Sequence, residues 1–197
     1  MQLPRIIGLL ARSRSGKDTV CDYIIAKCTK CNEDGLNPMQ RVVKRRLAQP
    51  IKDAVCALYG FTHDELESDD KDNIHPDIGI SPRTAMVYIT RNTMEQMGHD
   101  FFSRRLFNDI DSMNIDADTI IIPDVRYKHD IHEIQKRGGI LIKLERQNGP
   151  KYEWEHAIDE MSGNYTIQNN GSLQELYAKV DAIFQSSNQT ARSKVHA

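Results

Sequence analysis

No apolar run in the chain approaches the roughly 20 residues that a bilayer-spanning helix needs, so no membrane partner is expected. The amino-terminal residues carry no signal-peptide h-region, and an apolar strand begins almost at once at Ile6, which makes a cytoplasmic location the expectation. Neither sign of charge is in excess. Twenty-six Lys and Arg against twenty-eight Asp and Glu give a net charge of −2, too near neutral for a surface that coats nucleic acid. Cysteine is scarce, at Cys21, Cys28, Cys31 and Cys56. Cys28-x-x-Cys31 would be half of a zinc site, but no second close pair exists and no histidine has the partner spacing. Reduced thiols are therefore expected.

What is present is ordinary in bulk: 197 residues, 39% hydrophobic and 27% charged, enough for one domain with a substantial core. The informative stretch is Ile6 to Val20, IIGLLARSRSGKDTV. The apolar run Ile6 to Leu10 has the length and β-branching of a buried strand. A loop of small and charged residues follows, then Gly16-Lys17, and a helical pattern begins at Thr19. Strand, small-residue loop, Gly-Lys, helix is the order of a phosphate-cradling P-loop. Backbone N–H groups at the helix N-terminus point at an anion, and glycine lets the chain approach it closely. Lys17 would reach the β and γ phosphates. Two positions depart from the usual pattern. Ala11 replaces the first glycine, and Asp18 replaces the Ser/Thr that binds Mg²⁺. A carboxylate there repels a triphosphate unless a metal or a basic side chain intervenes, and the Thr19 hydroxyl is turned about 100° away.

Further along, Val20, Tyr23, Ile24 and Lys27 repeat at helical spacing. Asn32 to Pro38 is a turn-rich break, and Arg41 to Arg46 reads as a strand. Pro50 opens a helix that Gly60 ends, and Thr62-His63-Asp64-Glu65 is a capping box. The acidic run Glu65 to Asp72 reads as a solvated loop. Ser81-Pro82 begins a helix whose expected buried residues are Met86, Val87, Ile89, Thr93, Met94 and Met97, with Gly98 ending it. Phe102 to Met113 is a further amphipathic helix. Thr119 to Pro123 is a second buried strand, followed by a helix over Lys128–Lys136, a strand over Ile140–Leu144, a polar irregular stretch from Glu145 to Glu160, and a short strand over Tyr165–Ile167. Ser172-x-x-Glu175 caps a last helix carrying Leu173, Leu176, Val180 and Ile183. Strands alternating with helices predict an α/β, P-loop kinase-like fold with a central parallel sheet of about five strands and helices on both faces. One domain is expected over 1–185, with a lid at 145–156 and acceptor-binding helices at 50–113; residues 186–197 form a polar tail. Ligands bind such sheets at the carboxyl ends of the strands.

That rule selects the candidate chemistry. Asp124 ends an apolar strand expected beside the first one, the Walker B position, where a carboxylate holds Mg²⁺ or its water. Arg126 points into the same crevice and could grip a phosphate through its fork. Arg91, Arg104 and Arg105 lie on the middle helices, where each alone reads equally as a surface charge. Arg146, just past the fourth strand, could close over donor phosphates. His156, Asp159 and Glu160 are explained nearly as well by a capped turn.

Four motifs run in order across most of the chain: Arg14-Ser15-Gly16-Lys17-Asp18-Thr19, Leu47-Ala48-x-Pro50-Ile51-Lys52-Asp53-Ala54, Pro123-Asp124-Val125-Arg126, and Asn169-Asn170-Gly171-Ser172-Leu173-x-Glu175-Leu176. Together they resemble the deoxynucleoside monophosphate kinases of bacteriophages and large DNA viruses. Arg91-x-x-Met94 ahead of Gly98-His99-Asp100 is similar to that family as well. Its members share Gly-Lys-Asp, but have glycine at Ala11, and phage members are longer between Tyr59 and Thr90. The resemblance implies transfer of the ATP γ-phosphoryl group to a deoxynucleoside monophosphate, with Mg²⁺ held by Asp18 and Asp124. It implies ATP contacts from Arg14 to Thr19 and from Asn169 and Gly171, acceptor contacts from Lys52, Arg91, Arg104 and Arg126, and catalysis by Lys17, Asp18, Asp124, Arg126 and Arg146. The partners expected are the two nucleotides, with no nucleic acid and a homodimer left open; the location would be host cytoplasm for a viral protein. Two alternatives stand beside it. Animal phosphomevalonate kinases share the Ser-Gly-Lys-Asp loop and a strand-end Asp-x-Arg, and Phe101-Phe102-Ser103-Arg104 is similar to theirs. An inactive nucleotide-binding regulatory module would also fit the missing Mg-binding hydroxyl.

Overall fold

The computed structural model describes residues 3–29, 40–112, 117–147 and 155–195. The turn-rich break at Asn32–Pro38 and Cys31 lie outside them. The chain divides into two compact units, one of residues 1–45 with 113–197 and the other of residues 46–112.

The first unit is built on five strands: β1 (Ile6–Ala11), β2 (Val42–Lys44), β3 (Thr119–Val125), β4 (Ile140–Glu145) and β5 (Tyr165–Gln168). They form one parallel sheet in the order β2-β3-β1-β4-β5, with the first strand at its centre. Its helices are α1 (Lys17–Thr29), α6 (Lys128–Lys136), α7 (His156–Asp159) and α8 (Leu173–Val195). Successive residues of β1 serve opposite faces, as the strand period requires. Ile7, Leu9 and Ala11 join Ile121, Ile142 and Leu144 in one core with Val20 and Ile24 of α1 and Leu176, Val180 and Phe184 of α8. On the other face, Gly8 lets α6 come close. A Cβ there would lie 2.6 Å from Ile134 Cδ1 and 2.8 Å from Leu141 Cδ2. Both faces are covered, which is why the strands read as unbroken apolar runs.

One irregularity matters for the site. Gly8 pairs with Ile122, but Leu10 pairs with Val125, so β3 carries an extra residue at Pro123-Asp124. Proline has no N–H to give the ladder, and a bulge is where a central strand tolerates it. The strand therefore runs on to Val125 and ends two residues later than the apolar run suggests.

The second unit is helical: α2 (Gln49–Tyr59), α3 (His63–Glu67), α4 (Pro82–Met97) and α5 (Phe101–Ser112), with a 3-10 turn at Asp69–Asp72. Ile51, Val55, Phe61, Leu66 and Ala85 form its core. Two expectations are corrected here. The acidic run after Thr62 is not a loop. Thr62 and Glu65 cap each other's backbone, and Glu67 draws in both Arg46 and Lys52, while Asp72 pairs with Arg83 at 3.2 Å. The buried side of α4 is Pro82, Ala85 and Met94, with Met86 and Ile89 partly covered. Val87 and Met97 are 53% and 58% exposed. Burial follows no single row of apolar residues: Met94 is buried while Val87, two turns before it, is exposed, and Met86 and Ile89 are half-covered while Met97 is exposed. Leu173 of α8 is likewise exposed, although Leu176, Val180 and Ile183 are buried as expected. No helix among the described residues is long and apolar enough to cross a membrane.

Candidate active site

The loop between β1 and α1 takes its path from three residues. Ala11 stays in β1, paired with Leu144, so its Cβ meets no conformational demand. The left-handed positions fall later, at Arg14 (φ 60°) and Gly16 (φ 93°). The Ser15 N–H closes the turn on the Arg12 carbonyl at 3.3 Å, and the Val20 N–H bonds the Gly16 carbonyl at 3.0 Å as α1 begins. These two left-handed positions turn the chain sharply just ahead of α1.

Ser15 lies between the two left-handed residues. It is 1% exposed, and its Oγ has no hydrogen-bond partner among the described residues. An unsatisfied buried hydroxyl costs about 1–3 kcal/mol, so such a group in a folded protein asks for a ligand or a water. An anion with several acceptor oxygens fits this loop. Lys17 opens α1 with its side chain about a quarter exposed, and its Nζ lies 3.4 Å from Asp18 Oδ2. Thr19 follows on the same first turn.

Four residues distant in sequence brace the loop, Asn169, Glu155, Asp159 and Arg146, of which only Glu155 is not singled out by the sequence. The Asn169 Nδ2 donates to the Ser15 carbonyl at 3.0 Å, and the Asn169 N–H donates to the Glu145 carbonyl at 2.7 Å. The buried Glu155 accepts the Ser13 N–H at 2.7 Å. Arg12 forms a two-pronged ion pair with Asp159, with Nε to Oδ1 at 2.8 Å, and this pairing raises the guanidinium pKa further. Arg146 donates from Nη1 to the Arg14 carbonyl at 3.3 Å. Asn170 accepts the Gln147 N–H at 2.8 Å, and Gly171 lies under the Glu175 carboxylate.

Beside the loop is a cleft of about 430 Å³ lined by Arg12, Ser15, Lys143, Glu145, Arg146 and Gln168. Lys143 is the unexpected member. It is buried on β4, where it donates to the Asp159 carbonyl at 3.0 Å and pairs with Glu145 at 3.0 Å. The hydrogen bond from Lys143, with a second from Gln168, holds the Glu145 carboxyl below its usual range. A lysine inside the run Ile140 to Leu144 was the available signal.

Asp124 is buried on β3, next to the strand that feeds the loop. The bulge places it at the end of the sheet where the loop begins. Arg126 follows, and the chain turns there because Asp130 caps α6, accepting the Arg126 N–H at 3.0 Å and the Tyr127 N–H at 2.9 Å. In the second unit each candidate cation has a local partner. Lys52 holds Glu67, Arg91 pairs with Glu95 at 2.8 Å, Arg104 with Asp100 at 3.0 Å, and Arg105 with Asp109 at 3.5 Å. His156 and Glu160 are exposed at the two ends of α7. The lid expected at 145–156 falls mainly on residues 148–154, which lie outside the described residues.

Comparison with known proteins finds relatives along most of the chain. A family profile described as "Deoxynucleotide monophosphate kinase" matches residues 81–180. A "Putative deoxynucleotide monophosphate kinase" of Acanthamoeba polyphaga mimivirus is 23% identical, with 93% of this chain and 98% of that protein covered. The "Deoxynucleotide monophosphate kinase" of Escherichia phage RB69 is 29% identical, covering 90% of this chain and 98% of its own length. That of Enterobacteria phage T4 is 24% identical, at 89% and 97%. The matched half of the chain carries Asp124, Arg126, Arg146 and Asn169, and the ordered motifs extend the likeness to the loop, so the chain belongs to the deoxynucleotide monophosphate kinase family.

Proposed function

We propose that this protein transfers the γ-phosphoryl group of ATP to the phosphate of a deoxynucleoside monophosphate, giving a deoxynucleoside diphosphate and ADP. The observation that carries the donor half is the buried Ser15 hydroxyl, without a protein partner among the described residues, in a loop that ends at Lys17. The acceptor half rests on the family.

In this reading the Arg14–Thr19 backbone and Lys17 hold the β and γ phosphates, and Asn170 and Gly171 lie toward the adenine. Asn169 contributes by fixing the loop. Asp18 and Asp124 are the oxygen ligands for Mg²⁺, through water, and that donor set suits an ion that takes one or two carboxylates and leaves its other positions to phosphate and water. When bound, the ion neutralises charge on the β and γ phosphates. An ionised oxygen of the acceptor phosphate attacks the γ-phosphorus as the bond to the β–γ bridging oxygen breaks. No proton has to be removed. Catalysis is then mostly positioning and charge stabilisation, with Lys17 and Arg146 on the donor and Arg126 on the acceptor phosphate. Lys52, Arg91 and Arg104 are the remaining acceptor contacts that the family resemblance implies; each would exchange a local carboxylate for a phosphate.

The test is a panel of the four common deoxynucleoside monophosphates and phosphomevalonate, each with ATP and Mg²⁺, read as ADP and diphosphate product. Turnover of at least one deoxynucleotide supports the proposal. Turnover of phosphomevalonate alone, or of nothing, overturns it.

A further inference from the structure

Asp18 places a negative charge at the first turn of α1, in the region assigned above to the donor phosphates. The structure brings two ammonium groups to it. Lys17 Nζ is 3.4 Å from Oδ2, and Lys44 Nζ is 3.9 Å from Oδ1. Lys44 comes from outside the loop, at the carboxyl end of β2, where its backbone is fixed by pairing with Ile121 and by the Arg45 N–H donating to the Ile121 carbonyl at 2.9 Å. Its side chain is a quarter exposed, and Asp22 holds the ammonium at 2.7 Å. Asp18 and Asp22 are one helical turn apart on the same face of α1, so Lys44 lies along that face. Asp22 is 67% exposed and is therefore strongly screened by water.

We propose that Lys44 is a positioning residue for the donor nucleotide: it holds and offsets the Asp18 carboxylate so that Lys17 is released to the phosphates. This rests on the loop being the donor site. As Lys17 turns to a phosphate, Lys44 stays beside Asp18 and offsets a charge that repels the incoming anion. Lys44 remains in place, because Asp22 and the β2 backbone hold it independently of the loop. The Gly16-Lys17-Asp18 loop thus depends on a cation from β2, two strands away from β1 in the sheet.

Binding of a non-hydrolysable ATP analogue, measured by calorimetry in EDTA, isolates this charge effect from metal and turnover. Lys44→Met should weaken binding about fivefold, the size of a partly exposed charge interaction. Lys44→Arg should bind as the parent protein does. Adding Asp18→Asn to Lys44→Met should restore binding, which a packing role for Lys44 would not do. Full-strength binding by Lys44→Met, or a defect that persists with Asp18→Asn, overturns the proposal while leaving the donor site standing. Failure of the parent protein to bind the analogue in EDTA overturns the proposal, and failure with Mg²⁺ added as well overturns the donor site. Thermal melts that match across the variants exclude a folding defect as the source of the fivefold loss.

Discussion

Asn169 and Gly16 are in contact across the sheet: a Cβ on Gly16 would lie 2.5 Å from the Asn169 Nδ2, which donates to the carbonyl of the preceding residue, Ser15. The loop after β5 therefore reads the backbone of the loop after β1 directly. Their strands are not neighbours; β4 lies between them. The bridge runs over the carboxyl edge of the sheet, with the Asn169 N–H anchored on Glu145 at the end of β4.

From that contact, Asn169→Ala should raise the KM for ATP about tenfold, while costing only about 1 kcal/mol of stability for the lost hydrogen bond. Gly16→Ala should do worse, because it adds left-handed strain of about 1–2 kcal/mol to the clash. Steady-state kinetics with a denaturation curve for each variant checks both. An unchanged KM in Asn169→Ala would show that the loop holds its path unaided.

Lys17→Ala should lower kcat by about a hundredfold or more, the loss typical of removing one charge contact made in the transition state. The side chain is partly exposed and fills no core volume, so Tm should not move. Retention of most of kcat would remove the loop from the chemistry.

Arg146→Ala should lower kcat more than it weakens ATP binding. Its guanidinium now serves only a loop carbonyl, that of Arg14, among the bonds described, and a charged donor gains more from a transferring phosphoryl group. The comparison of kcat with the KM for ATP decides it. Equal effects on both would make Arg146 a ground-state contact.

Acid should weaken the wall of the cleft through Glu145. Its carboxyl is held below the ordinary value of 4.5, first by Lys143 and then by Gln168. A depressed carboxyl pKa stabilises the fold above the unfolded value, and the gain is lost as pH falls through the folded value. Glu145→Gln should accordingly be less stable than the parent at pH 7, and the gap should close as pH falls below 4.5. The side chain is 40% exposed, so the gap will be modest. Melts of both proteins at neutral and acid pH measure it; a gap that does not depend on pH would assign the effect to packing.

Local chemistry made much of this protein legible. A run such as Ile6 to Leu10 reads as a buried strand, Gly16-Lys17 as the opening of a helix, and Thr62 with Glu65 as a helix cap, and each forms as read. Alternating strands and helices then imply the parallel sheet, and Asp124 and Arg126 follow from its carboxyl edge. The α4 helix shows where that logic stops. Its apolar residues are alike in sequence, and nothing within the helix says that Met94 would be buried while Val87 and Met97 stay exposed.

The sequence by itself determined the fold class and the strand–loop–helix at Ile6–Val20, because strand burial, helix capping and glycine geometry act over a few residues. The tertiary structure alone decided what holds that loop. Glu155, Asp159 and Asn169 are more than 140 residues from the atoms they bind, and Lys44 reaches Asp18 from another strand. Hydrogen bonds and ion pairs depend on distance in space, which a linear pattern carries only for neighbours along the chain. The Pro123 bulge belongs to the same class: it becomes visible once β3 has β1 to be out of step with.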